Sequence, residues 1–175
     1  MSEPIWRPMT AADLPAVLAV ASVVHPDYPE DEAVFAERLR LFPDGALVLD
    51  GPPGLCGYVV GHPWPRAAPP ALNSLLGGLP AQAGCFYIHD LALLPEARGS
   101  GAGRAVVARL GEIAAQAGLP CLALVAIAGS LGFWQRQGFH AVHDLALAAK
   151  LASYDDAARY MERALDSSAT RGAKD

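Results

Sequence analysis

Basic residues are scarce in this sequence: 13 Lys and Arg stand against 18 Asp and Glu, a formal charge of −5 over 175 residues. A surface built to hold nucleic acid is therefore not expected, whereas a mildly acidic protein suits cationic small molecules. No apolar run approaches the ~20 residues of a membrane span, which removes the membrane as an expected partner. The start, MSEPIWRP, lacks the basic-then-apolar order of a secretory leader, so a cytoplasmic location is expected. Cysteine is sparse as well. Cys56, Cys85 and Cys121 are odd in number, widely spaced and set in apolar stretches, which points to buried thiols in a reducing compartment. His25, His62, His140 and His143 have no metal-like spacing, so no metal is expected and each reads as structural or solvent-facing. No internal repeat, low-complexity tract or linker divides the chain. The expectation is one domain over 1–166 with a frayed tail over 167–175, monomeric or homodimeric. Hydrophobic residues make up 53% of the chain, enough for a sizeable core.

What is present centres on Tyr87 to Leu110, YIHDLALLPEARGSGAGRAVVARL. Ile88 to Leu94 is mostly apolar and reads as a strand, Pro95 stops the pairing, and Gly101 to Leu110 restores helical spacing. Between them lies Arg98 to Gly103, R-G-S-G-A-G. Glycines let backbone N–H groups approach an anion, and the following helix offers its free N-terminal donors to a phosphate, which predicts a pyrophosphate site over Arg98, Gly99, Ser100, Gly101, Ala102, Gly103 and Arg104. Two nucleotide motifs do not fit. A P-loop needs Lys-Ser/Thr after its last glycine, and here Arg104-Ala105 follows Gly103. The dinucleotide fingerprint G-x-G-x-x-G fails because glycines 99, 101 and 103 are spaced two and two.

The remaining elements follow in order. Ile5 to Met9 reads as a strand, and Thr10 to Asp13 resembles a cap opening the helix Ala11 to Ser22. His25 to Pro29 breaks the pattern before a second helix, Asp31 to Phe42. Charged residues from Glu30 to Arg40 read as a solvated helix face. Ala46 to Leu49 and Leu55 to Gly61 form a hairpin across Gly51-Pro-Pro-Gly54. Residues 62–83 are Pro/Gly/Ala-rich, and a loop of this length is either a lid or poorly ordered. Pro120 to Ala128 reads as a strand, Ser130 to Gln137 as a short helix stopped by Gly138, and Phe139 to Ala148 and Ala158 to Leu165 as the last strands.

The R-x-x-G-x-G turn after L-x-L-L-P resembles the acetyl-CoA-binding motif of the Gcn5-related N-acetyltransferase (GNAT) superfamily. Gly132 to Phe139, GFWQRQGF, is similar to that superfamily's F-Y-x-K/R-x-G-F signature, and the order of elements agrees over nearly the whole chain. The resemblance implies a single-domain α/β fold: a mixed, twisted sheet of about seven strands with about four helices, splayed between the fourth and fifth strands. It also implies an acetyl-CoA-dependent N-acetyltransferase in which the backbone of Leu91, Ala92 and Leu93 pairs with the pantetheine arm. Ile88 to Leu93, Phe133 to His140, Gly57 to Trp64 and Phe35 to Phe42 look like the corresponding stretches of the arylalkylamine (serotonin) N-acetyltransferases. That narrower likeness implies a small aromatic alkylamine or polyamine-like acceptor, with Tyr28 and Trp64 lining its pocket or plugging a core edge.

An amine of pKa ~10 arrives as an ammonium, and deprotonating it at pH 7 costs roughly 4 kcal/mol without help. By the resemblance His89 matches one of two strand histidines that act in the arylalkylamine enzymes, and Tyr87 stands at the other. Strand alternation puts Tyr87, His89 and Leu91 on one face and Ile88 and Asp90 on the other, with Asp90 the alternative base if the register is reversed. Trp134 occupies the position of the family's usual acid, a Tyr, and an indole N–H donates a hydrogen bond without giving up its proton. The family's Asn is replaced by Ile127. Water, Tyr154, Ser130 or no protein group at all then protonates the leaving thiol, whose pKa near ~8.5 is tolerable. Two other readings stay open: an inert acyl-CoA-binding regulator, and a protein N-acetyltransferase.

Overall fold

The computed structural model describes residues 2–127, 129–152 and 154–166; the expected frayed tail lies outside them. Seven strands form one sheet in the order β1-β2-β3-β4-β5-β7-β6, from β1 (Ile5–Pro8), β2 (Ala46–Gly51), β3 (Gly54–Trp64), β4 (Cys85–Leu93), β5 (Cys121–Ala126), β6 (His140–Ala141) and β7 (Arg159–Ala164). Every neighbouring pair is antiparallel except β4 and β5. That parallel ladder joins only Phe86–Leu122, Tyr87–Ala123 and Ile88–Leu124, although β4 runs on to Leu93 and β5 to Ala126. The two strands therefore part beyond Ile88, as the expected splay requires.

Five helices cover the sheet: α1 (Leu14–Val24), α2 (Glu32–Leu41), α3 (Ala102–Gln116), α4 (Leu131–Arg136) and α5 (Leu145–Leu151). One face packs under α3 and α4, where Val106 and Leu110 meet Val59, Phe86, Ile88 and Leu124. On the other face α1 and α2 cover Val48, Tyr58 and Val60, and α5 covers Tyr87, Ala123 and Tyr160. Leu110 is completely buried, so truncating it to Ala should cost about 2–5 kcal/mol. Entry to the first helix is fixed by Asp13, whose carboxylate accepts from the Thr10 N–H at 2.8 Å and is held by Arg7 at 2.8 Å. None of the helices among the described residues is long and apolar enough to cross a membrane.

The strand expected over 139–148 is not formed. Only His140–Ala141 pairs, and the helix α5 follows because Asp144 caps it, accepting from the N–H groups of Ala146 and Leu147. Leu147 and Leu151, four apart, then bury one helical stripe, which makes five helices rather than four. Residues 62–64 extend β3 against β4, which corrects the loop expected over 62–83, and the stretch that follows them is firmly tied. Leu76 and Gly77 donate their N–H groups to Glu37 at 2.6 and 3.0 Å, Arg38 donates to the Ser74 carbonyl, and Tyr154 donates to the Pro70 carbonyl. Of the two alternatives for this loop, the ordered cover is the one realised.

Candidate active site

Strand β4 does not alternate regularly. Its register against β3 jumps between Val60–Asp90 and Gly61–Ile88, leaving His89 as an extra residue without a partner. Such a bulge turns two successive side chains to the same side. Ile88 and Leu91 both pack under α3, while His89 and Asp90 both face the α1–α2 loop, on the side of the sheet where Tyr87 packs under α5. The expected alternation is corrected accordingly: Leu91 leaves the face of His89, and Asp90 joins it. The bulge also falls where the β4–β5 ladder ends.

At that seam lies a cavity of about 100 Å³, lined in part by Glu30, Leu72, Tyr87, His89, Asp90 and Trp134. His89 Nε2 lies 2.8 Å from Glu30 Oε1 and 3.1 Å from Oε2, and the two side chains are only 4% and 7% exposed. A carboxylate this close fixes the orientation of the ring. Beside it, His25 Nε2 is 2.9 Å from Asp90 Oδ1, and Tyr58 Oη donates a short hydrogen bond to Asp90 Oδ2.

The other expected site residues divide. Tyr28 lines the cavity and donates to Asp155 Oδ2 at 2.8 Å, joining the α1–α2 loop to the segment after α5. Trp134 is buried and also reaches the cavity wall. Trp64 does not line it. Its indole N–H donates to the Ala68 carbonyl at 2.8 Å and its ring stands edge-on to His62, so it supports the end of β3 as a core-edge plug. Tyr154 and Ser130 line the cavity, but each hydroxyl already donates to a carbonyl, of Pro70 and Ile127.

Sequence reasoning missed Glu30 and His25, and misplaced Glu37 and Arg38. Glu30 precedes α2, which starts at Glu32, so it was never on that helix's face. The signal was the Pro26…Pro29 break, which holds Glu30 in a loop. Arg38 is 1% exposed and pairs with Glu37 at 2.9 Å, so both belong to the interior behind the site. His62, read as structural or solvent-facing, is fully buried, and burial holds its imidazole pKa down at about 4.

The turn before α3 has the conformation its glycines predict. Gly99 and Gly101 have φ of 75° and 87°, and Gly101 caps the helix without a side chain. Helix geometry leaves the N–H groups of Gly103 and Arg104 without i−4 carbonyls. Arg98 Nε donates to the Leu93 carbonyl at 3.1 Å, and Arg98 and Arg104 are exposed on either side of the turn. Gly103 has a different reason to be glycine: a Cβ there would lie 3.0 Å from the Phe133 ring. A β4 edge without a partner beyond Ile88 and an N–H-rich helix start fit the two ends of an acyl-CoA, its amide-bearing arm and its pyrophosphate.

A parted parallel strand pair, with that helix start beyond it, gives such a molecule a place to lie. The sequence matches the acetyltransferase (GNAT) family over residues 11–139, and the chain belongs to that family. Its co-substrate is accordingly acetyl-CoA, and its class N-acetyltransferase. No curated protein matches the sequence. Among solved structures it is similar to the loading GNATL domain of CurA from Lyngbya majuscula, with TM-score 0.77, 12% identity, 94% of this chain and 98% of that one. It is also similar to Ard1 from Thermoplasma volcanium, with TM-score 0.72, 16% identity, and 94% and 99% coverage. A third is Rv2747 from Mycobacterium tuberculosis, solved with CoA, with TM-score 0.66, 16% identity, and 93% and 100% coverage.

Proposed function

We propose that this enzyme acetylates the amine of a small molecule, an aromatic alkylamine or a polyamine-like compound, by direct attack in a ternary complex. One observation carries the reading: the buried His89–Glu30 couple faces a small cavity at the seam between β4 and β5. Leu72, from the tied 62–83 loop, lines that small cavity, which favours a small acceptor over an extended protein chain. A cavity walled by two carboxylates suits an incoming ammonium. The likeness to arylalkylamine acetyltransferases, carried by the strings quoted above, agrees with it. The His89–Glu30 couple gives the site a base, which favours catalysis over the inert-regulator reading that Trp134 motivates.

Bound acetyl-CoA supplies the activated acyl group as a thioester. The backbone of Leu91, Ala92 and Leu93 would hold its pantetheine arm, and the turn from Arg98 through Gly99, Ser100, Gly101, Ala102 and Gly103 to Arg104 its pyrophosphate. His89 accepts the ammonium proton, and Glu30 orients its ring and stabilises the resulting imidazolium. Tyr87, fully buried with its phenol pKa pushed well above the ordinary value chiefly by desolvation, stays neutral and shapes the wall beside His89. Trp134 forms part of the apolar wall of the site. The three cysteines are free and buried, in keeping with a cytoplasmic home.

The test is turnover: acetyl-CoA with a panel of aromatic alkylamines, polyamines and N-terminal peptides, followed by thiol release. Preferential turnover of small amines is the expected result. Acetylation of peptides but not amines would reverse the acceptor class, and CoA binding without turnover of any acceptor would restore the regulator.

A further inference from the structure

The bulge at His89 creates a second couple that mirrors the first. His89 on β4 pairs with Glu30 from the α1–α2 loop, and Asp90, the next residue on β4, pairs with His25 from the same loop. Both couples line one cavity. Amine acylation moves protons at two places, off the nitrogen and onto the departing sulfur, and Trp134 is unable to serve the second.

Other side chains on the cavity are poorly placed to replace it. Tyr28 donates to Asp155, Tyr154 to the Pro70 carbonyl and Ser130 to the Ile127 carbonyl. Tyr87 sits too deep to release a phenolic proton, and burial pushes the Tyr154 phenol up to about 12. His25 differs from all of these. Its Nε2 is buried 2.9 Å from Asp90 Oδ1, so it stands as an ion-paired acid and not as a hydroxyl already spent on a carbonyl. Asp90 in turn is fixed by Tyr58 through its other oxygen.

We infer that His25 is the proton donor to the departing thiolate, with Asp90 and Tyr58 as its positioning residues. The inference rests on the small-amine acetyltransferase reading. The deprotonated amine nitrogen bonds to the thioester carbon, the C–S bond breaks with its electron pair on sulfur, and sulfur takes the proton of His25. The ammonium gives up two protons through His89 to solvent, and His25 recovers one from solvent. The reaction thus releases one proton overall.

The ionisable groups around His25 are Glu30, Tyr28, Tyr87, His89, Asp90 and Tyr154 on the cavity, and Tyr58 behind Asp90. Burial alone lowers the imidazole pKa of His25, but the Asp90 carboxylate outweighs it, helped by the Leu91 backbone and by Glu30, and the net direction is upward. A raised pKa keeps the ring protonated in the range where an acid is needed.

The experiment is the pH dependence of kcat/KM for the best amine in wild type, His25→Gln and Asp90→Asn, with acetyl-CoA binding and thermal melting as controls for folding. Wild type should show a bell, since activity is lost at high pH as His25 deprotonates. His25→Gln should lose the falling limb and about 10–100-fold in rate at neutral pH, with acetyl-CoA binding retained. Asp90→Asn should move the falling limb to lower pH without abolishing it, a shift that a merely structural residue would not produce. It carries the test if His25→Gln fails to fold. A falling limb unchanged in either folded variant overturns the assignment while leaving the acetyltransferase reading intact. Turnover of no amine by wild type removes that reading, and this proposal with it.

Discussion

Replacing Gly101 by Val isolates the glycine turn from everything else in the site. Gly101 has φ 87° and ψ −1° at the start of α3, and a Cβ there would meet nothing within 4 Å. The cost of a side chain is therefore conformational and not steric. Left-handed backbone costs an ordinary residue roughly 1–2 kcal/mol, and a β-branched one sits at or above the top of that range. Either the turn keeps its shape and the fold loses that energy, or the turn relaxes and the N–H groups of Gly103 and Arg104 swing away from the anion. Relaxation forfeits one or two charge-assisted hydrogen bonds of about 1.5–3 kcal/mol each, a factor of at least ten in affinity. Titration of acetyl-CoA against Gly101→Val should show that loss, with amine KM near its wild-type value. Gly101→Asn, which tolerates φ > 0, should retain most of the affinity. Gly103→Ala should behave differently, lowering the melting temperature through the Phe133 contact at 3.0 Å. Wild-type acetyl-CoA affinity in Gly101→Val would refute the reasoning.

Three further outcomes follow from the same structure. His62 titrates near 4 in the fold, against ~6.5 for an unfolded histidine, so the unfolded chain binds more protons between those values and stability falls as pH drops; at pH 5 the loss is roughly 2 kcal/mol, and His62→Phe should remove that part of the acid sensitivity in melting experiments. Asp13 is lowered to about 2, first by its hydrogen bond to Arg7, so its contribution is present above ~3.8 and lost toward pH 2. Asp13→Asn should cost about 1 kcal/mol at pH 7 after allowing for the partly exposed Arg7, and almost nothing at pH 2 in denaturant titrations. Tyr28→Phe should raise the amine KM a few-fold and leave the acetyl-CoA KM unchanged, because it cuts the bond to Asp155 at the cavity mouth.

Much of this fold was legible because its elements depend on local pattern. The R-G-S-G-A-G turn, the apolar β4 and the amphipathic α3 each declare themselves in a dozen residues. Asp144 looked like part of a strand because apolar residues run on either side of it through 139–148, and only its capping of Ala146 and Leu147 decides for a helix. The bulge at His89 has no local signature, since it is a register jump against β3 and registers are set by partners far along the chain. For that reason the face shared by His89 and Asp90, and their partners Glu30 and His25, 59 and 65 residues away, were not deducible from strand alternation. Arg38 illustrates the same limit: a charged residue in an amphipathic helix reads as solvated unless the 62–83 loop is known to fold over it.

The account turns on whether the His89–Glu30 couple removes a proton from a small amine. Steady-state kinetics of His89→Gln against wild type, from low to high pH, with acetyl-CoA and the best amine, measures this directly. The predicted result is a loss of about 10²–10³-fold near neutral pH and disappearance of the rising limb, with acetyl-CoA affinity near normal. Part of the rate should return as pH rises toward the falling limb, where more of the amine is free. A wild-type pH profile in His89→Gln would contradict the account, and loss of acetyl-CoA binding or of the fold would assign His89 to the sheet.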